Sequence, residues 1–310
     1  MVPLVLNRNP KLGIGLMILS AICATVSASL TYYSIQLDPQ YSITLAAFVR
    51  VLMNPVSWYL WVAFFAMSRS RRDSPGEFPR QSQKANRLLK NNWLICWGLG
   101  GAVTVVCYFH AIQIAGIGVA SLGSSLSGAV TIVLTTLMEK KSKNLLIWGG
   151  VLTIVLGLVL IKGTDDPGHF NLGWVLALLS GISGGVAYFS VSRVSMVANS
   201  FEIMLYWTLA CLPTNLLLVL TSEFHWPNQG AVWIVLVFGG LFLAFSQLLA
   251  AISFRYHRAE ILSVLSYLTP ALVCASDFLL FGRPYTLQMF AGTVLIIGTG
   301  ACLSVQAKAG

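Results

Sequence analysis

Three ionisable side chains interrupt otherwise apolar stretches of the chain: Arg50, His110 and Asp277. Asp or Arg in hydrocarbon costs about 2.5–3.5 kcal/mol on insertion scales, so such residues persist mostly where they face a cavity or a partner. Asp277 can carry a proton or hold a substrate amine; its plainer role is to reach the outer interface or pair with Arg283. Arg50 can neutralise an anionic group or hydrogen-bond the backbone of a neighbouring helix. Histidine carries protons near neutral pH as a residue type, so His110 is a second candidate for proton coupling, beside the role of a buried, hydrogen-bonded neutral ring. Hydroxyls form a second pattern. Ser121, Ser124, Ser125 and Ser127 follow one another closely, as do Ser263, Ser266, Tyr267 and Thr269. At helical spacing 121, 124 and 128 share a face, and so do 263, 266, 267 and 270. Small hydroxylated residues serve close helix packing, and equally they line a polar cavity. Pro270 removes a backbone donor, and the carbonyl it frees can face a ligand or only mark a kink.

Other chemistries have little support. The six cysteines stand singly in apolar runs, with no CxxC, no HExxH and no Walker motif, so neither a metal nor a cofactor is expected. Glu139 and Glu260 sit beside Lys140 and Arg258 as interface charge pairs or gating groups, and Glu202 follows Ser200 as a candidate helix cap.

The elements that position these residues follow from composition. The chain is 56% hydrophobic and 9% charged, with mean hydropathy +0.78. Soluble domains carry about 25% charged residues, so the deficit excludes a water-facing surface and points to a bilayer as solvent. The net charge of +9 falls in short connections between apolar runs, which argues for the positive-inside pattern and against nucleic acid. A span needs about 20 apolar residues. Ten fit: Leu12–Gln36, Ser42–Met67, Trp93–Ala115, Val119–Met138, Leu145–Lys162, Leu172–Met196, Phe201–Leu220, Ala231–Tyr256, Ile261–Phe281 and Leu287–Val305. The first run is longer than a signal-peptide core of about 7–15 residues, so a retained helix is expected. With both termini cytoplasmic, the outer side holds only Lys162 and Arg283 of the basic residues, and the basic loop 68–92 is a flexible cytoplasmic linker suited to lipid headgroups.

An internal repeat refines the architecture. Ser121, Ser124, Leu126, Ala129, Leu137, Leu145, Gly150 and Ile154 match identical residues 142 positions later, at Ser263, Ser266, Leu268, Ala271, Leu279, Leu287, Gly292 and Ile296. The copies lie five spans apart. Five is odd, so they insert in opposite senses, as the inverted repeats of secondary transporters do. The expected fold is an all-α integral membrane protein of two inverted five-helix repeats, 12–162 and 172–305.

The chain also resembles the drug/metabolite transporter superfamily, in its ten-helix EamA branch. The resemblance rests on Ala46-Ala47-Phe48-Val49-Arg50, Tyr108-Phe109-His110-Ala111-Ile112, Gly118 to Leu122, Met138-Glu139-Lys140-Lys141 and Trp148-Gly149-Gly150 to Gly157. In the second half Ala187-Tyr188-Phe189 with Arg193, Ala259 to Leu265, Leu268-Thr269-Pro270-Ala271 and Gly292 to Gly300 are similar to the corresponding helices. The chain departs from the family in having Gly128 where Pro is frequent, Cys23 to Ser27 where a Trp is typical, and Phe281 opposite Glu139.

The resemblance implies a secondary transporter exporting amino acids or other small metabolites across a bacterial-type inner membrane, by alternating access and with proton coupling as an option. It assigns Tyr108, Tyr188, Tyr267 and Gln247 to the helices around the cavity, where Ser27, His110, Ser124, Ser127, Ser266, Thr269 and Pro270 join them as candidate lining. It places Arg50 outside that cavity, which favours its structural role. The expected partners are a small solute and membrane lipid. The alternatives are a non-transporting membrane subunit or sensor, and an intramembrane enzyme acting through His110 or Asp277. Oligomeric state is not legible.

Overall fold

The structure is a computed structural model that describes residues 10–69, 92–138, 145–162, 172–194, 200–221, 225–256, 262, 265–282, 286–288, 290–295, 298–299 and 302. The described secondary structure is helical throughout. The helices are α1 (Pro10–Leu37), α2 (Ile43–Arg69), α3 (Asn92–Met138), α4 (Leu145–Lys162), α5 (Leu172–Val194), α6 (Ser200–Thr221), α7 (Gly230–Tyr256) and α8 (Leu268–Phe281). Among the described residues, five stretches are long and apolar enough to cross a bilayer: Lys11–Leu37, Asn92–Ser121, Leu172–Val194, Ile203–Leu220 and Gly230–Phe254. Leucines such as Leu152, Leu217, Leu220 and Leu279 are exposed on the outside of the bundle, as a lipid-facing surface requires.

The sequence predicts two helices with a break over Gly116–Gly118. In the structure the helical pattern runs on from Asn92 to Met138, and the break is a single residue, Gly116, at φ 85° and ψ 168°. Its positive φ is disfavoured for any residue with a Cβ. The contacts of α5 show what Gly116 achieves. Ala115 lies against Gly173, Thr104 bonds to Ser180 and Ser183, and Gly100 lies against Ala187, so the first half of α3 runs antiparallel to α5. Gly123 lies against Ala177 and Thr131 donates to the Gly185 carbonyl, so the second half runs parallel to α5. The chain therefore reverses at Gly116.

A matching arrangement surrounds α1. Met17, Ser20 and Ser27 meet Ser253, Ser246 and Gly239, which makes α1 antiparallel to α7. Ser29 meets Ser276 and Tyr32 meets Phe281, which makes α1 parallel to α8. Each first helix of a half thus packs between two elements of the other half. The α3–α5 seam depends on small residues: a Cβ on Gly181 would stand 2.1 Å from the Gly123 carbonyl oxygen, so only glycine permits the approach.

At one end, the two halves are clasped by polar contacts. Asp38 accepts from the Asn228 N–H at 2.9 Å and from the Gln40 N–H at 3.2 Å. The Ser42 N–H donates to the His225 carbonyl at 3.1 Å, and the Gln229 amide to the Leu37 carbonyl at 3.2 Å.

Pro270 falls in the first turn of α8, not inside a continuous helix. The Ser266 carbonyl, which a helix would offer to residue 270, accepts instead from the Thr269 N–H at 3.1 Å. The carbonyl expected to be free is already bonded, so Pro270 contributes its ring alone.

Candidate functional site

The seams converge on a cavity of about 150 Å³, room on the order of ten waters. Both halves build it. From the first half, α1 supplies Ser20 and Ser27, α2 supplies Arg50, and α3 supplies Trp97, Thr104, Tyr108, Ser124, Ser125 and Ser127. From the second, α5 supplies Ser180 and Tyr188, α6 Trp207, α7 Ser246 and Gln247, the turn before α8 supplies Ser266, and the first turn of α8 supplies Thr269 and Pro270. Among the described residues, none that lines it is acidic.

Much of the wall is hydroxyl, and many of these protons are already directed. Ser20 donates to the Ser246 carbonyl at 2.8 Å, Ser124 to the Ser121 carbonyl at 2.8 Å, Thr104 to the Gly100 carbonyl at 2.7 Å, and Ser180 to the Ala177 carbonyl at 2.7 Å. A hydroxyl whose proton is taken by its own helix presents lone pairs to whatever lies beside it. The wall thus offers acceptors for N–H and O–H groups. Aromatic faces flank it. Trp97 is fixed by its indole N–H on the Ile203 carbonyl at 3.0 Å. Trp207 is seated against Gly101, where a Cβ would lie 2.0 Å from the indole nitrogen. The Tyr188 ring stands 5.9 Å from that of Phe254. Aromatic rings with a polar tip suit solutes that are part apolar and part polar.

Arg50 is 2% exposed and belongs to this wall. Its Nη1 donates to the Ser27 hydroxyl at 2.7 Å and its Nη2 to the Ser27 carbonyl at 2.7 Å, with a further bond from Nη2 to the Thr31 hydroxyl. Ser27 in turn donates to the Gly239 carbonyl at 2.8 Å. The guanidinium carbon stands 4.7 Å from the centre of the Phe109 ring. Beyond Thr31, the hydroxyl chain continues: Ser34 donates to the Thr31 carbonyl at 2.6 Å and shares a 2.6 Å bond with the Tyr41 hydroxyl. Arg50 therefore both lines the cavity and bonds the backbone of a neighbouring helix, although the family resemblance puts it outside.

The remaining candidates divide. Ser27, Tyr108, Ser124, Ser127, Tyr188, Gln247, Ser266, Thr269 and Pro270 come together around the cavity. His110 and Tyr267 do not. The His110 Nδ1 bonds the Val106 carbonyl at 2.9 Å, one turn back on its own helix. Tyr267 is 1% exposed, and its hydroxyl reaches toward Ala129 without forming a bond of good geometry. The side chains of Asp277 and Glu202 lie outside the described residues, as do Ser263, Glu139, Glu260, Arg283 and loop 70–91. Among the described residues no group of His, Cys, Asp and Glu is placed to hold a metal. Sequence reading misses Ser20, Ser246, Thr104, Ser180, Trp97 and Trp207. The glycines at 181, 184 and 185 signal close approach in α5, but nothing in the sequence says which side chains stand across from them.

The whole arrangement has known counterparts. Over 217 residues the chain is 24% identical to the pseudopaline exporter CntI of Pseudomonas aeruginosa strain UCBPP-PA14, covering 69% of this chain and 74% of that one. The exporter of strain PAO1 matches with the same identity and coverage. A solved crystal structure shares the fold at a TM-score of 0.66 and 17% identity, covering 94% of this chain and 98% of its own. The EamA-like transporter family matches residues 11–163 and 171–305. Two copies of one unit thus account for nearly the whole sequence, and the chain belongs to the EamA-like transporter family.

Proposed function

We propose that the protein is a secondary transporter that exports small organic metabolites across a bacterial-type inner membrane. The observation that carries this reading is the shared cavity, to which residues from both family units contribute polar and aromatic groups. A site built from two repeats can be opened to either side by rocking one against the other. The exchange of first helices supports an inverted relation between the halves: α1 is antiparallel to α7 and parallel to α8, and α5 is antiparallel and then parallel to the two halves of α3. Ten spans in two five-helix units, 12–162 and 172–305, with both termini cytoplasmic, complete the reading. Likeness to an exporter favours the outward direction.

Solute flux through proteoliposomes tests this. Purified, folded protein should accelerate movement of at least one member of a panel of small metabolites. No flux for the panel removes transport from the reading. We further propose Asp277 as the coupling group. Asp277→Asn should abolish the response to a pH gradient while leaving binding measurable, and unchanged gradient-driven flux removes Asp277 from the mechanism.

A further inference from the structure

Accepting that the central cavity is the transport site, we propose that it selects organic carboxylates, with the guanidinium of Arg50 as the anchor for the carboxylate. Arg50 is the one cationic side chain among the described lining residues, and none of those residues carries a negative charge. Among the described residues its charge is thus taken into the bundle with neutral acceptors around it: the Ser27 hydroxyl and carbonyl, the Thr31 hydroxyl and the face of Phe109. Neutral hydrogen bonds compensate desolvation of a buried cation only in part, and a carboxylate brought to it gains a charge-assisted bond roughly twice as strong as a neutral one.

The donors needed are present. A guanidinium carries five N–H groups, and three bonds are engaged here. Two N–H groups remain, one on Nη1 and one on Nε; Nε has no partner but is closed off from the cavity, so the carboxylate meets the guanidinium at Nη1. The rest of the wall discriminates in the same sense. An ammonium finds hydroxyl lone pairs but no carboxylate, so a zwitterion is accepted through its acid end, while a cation lacking that end meets Arg50 with like charge. The faces of Trp97, Trp207, Tyr108 and Tyr188 take the apolar part of the solute.

The test compares matched solutes on unmodified protein: phenylalanine, N-acetylphenylalanine and phenylalaninamide, then the corresponding leucine trio. Binding is read by tryptophan fluorescence and thermal shift, and flux by proteoliposomes. The two acids of each trio should bind at least about tenfold more tightly than the amide. Arg50→Lys should retain that preference in weakened form, and Arg50→Gln should bring the ratio near one. Equal or tighter binding of the amides, or a panel whose acids do not bind, overturns the proposal, as does an Arg50→Gln protein that keeps the full preference. Should the variants fail to fold, the acid-to-amide ratio of the unmodified protein decides alone. Acids that bind without moving preserve the carboxylate site and remove transport; acids and amides moving alike preserve transport and remove the carboxylate site.

Discussion

The seam between α3 and α5 and the seam between α1 and α7 are matching joints between the two halves, yet they are held by different means. At α3–α5 the backbones touch through glycine, Gly181 against Gly123, Gly173 against Ala115, and Gly185 against Val130, and the hydroxyls of Thr104 and Thr131 add bonds beside that approach. At α1–α7 the contact is made by hydroxyls, Ser20 with Ser246 and Ser27 with Gly239, and is tied to a buried cation on α2. Both seams border the cavity, but only one brings charge to it. The comparison teaches that the repeated scaffold and the chemistry of the site are separable. Close approach fixes one wall, and polar bonds position the recognition groups of the other.

The difference predicts unequal failure. Gly181→Val should be the most damaging change, because its Cβ would stand 2.1 Å from the Gly123 carbonyl oxygen, a backbone atom with no freedom to yield. Overpacking of this kind costs about 3 kcal/mol or more. Thermal unfolding in detergent should show a large loss of stability or no folded protein. A Gly181→Val protein of unchanged stability would mean that the α3–α5 approach is not what the seam depends on. Ser27→Ala should cost less, about 2 kcal/mol, since it removes the bond to the Gly239 carbonyl and leaves one buried Arg50 donor without a partner while the helices still fit. Its sharper signature is functional. Loosening the anchor of the guanidinium should weaken acid binding more than amide binding, whereas a loss equal for both would place Ser27 in packing alone.

How far the sequence reveals this division depends on how each feature is encoded. The all-helical membrane class follows from apolar run length, which the bilayer itself enforces. Ser124 and Ser127, and Ser266 and Thr269, are legible as stripes within short windows, and they reach the cavity. Ser20 is not legible: a single serine in an apolar helix reads as packing, and its partner Ser246 is 226 residues away. Thr104, Trp97 and Trp207 are missed for the same reason. Gly116 is legible as a polar break but not as a reversal confined to one residue. Arg50 is misplaced because the resemblance fixes which helix carries it, not how far a long side chain reaches from that helix.

Tyr267 shows the opposite error, and it supplies the mildest prediction. Helical periodicity puts it on one face with Ser263, Ser266 and Pro270, but the chain turns at Ser266–Tyr267 and restarts its helix at Leu268, so the phase does not carry through. The ring ends 1% exposed against α3, with its hydroxyl unpartnered. Tyr267→Phe should then be neutral or stabilise the fold by about 1 kcal/mol, because it removes a buried polar group that makes no good bond. Substrate binding should not change. Tyr188→Ala, on the cavity wall, should weaken binding, with some loss of stability because its ring also packs against Phe254. Ligand-induced thermal shifts on the two variants separate these roles. If Tyr267→Phe loses affinity while Tyr188→Ala keeps it, the solute sits between α8 and α3 rather than in the central cavity, and the chemistry assigned to the α1–α7 side moves with it.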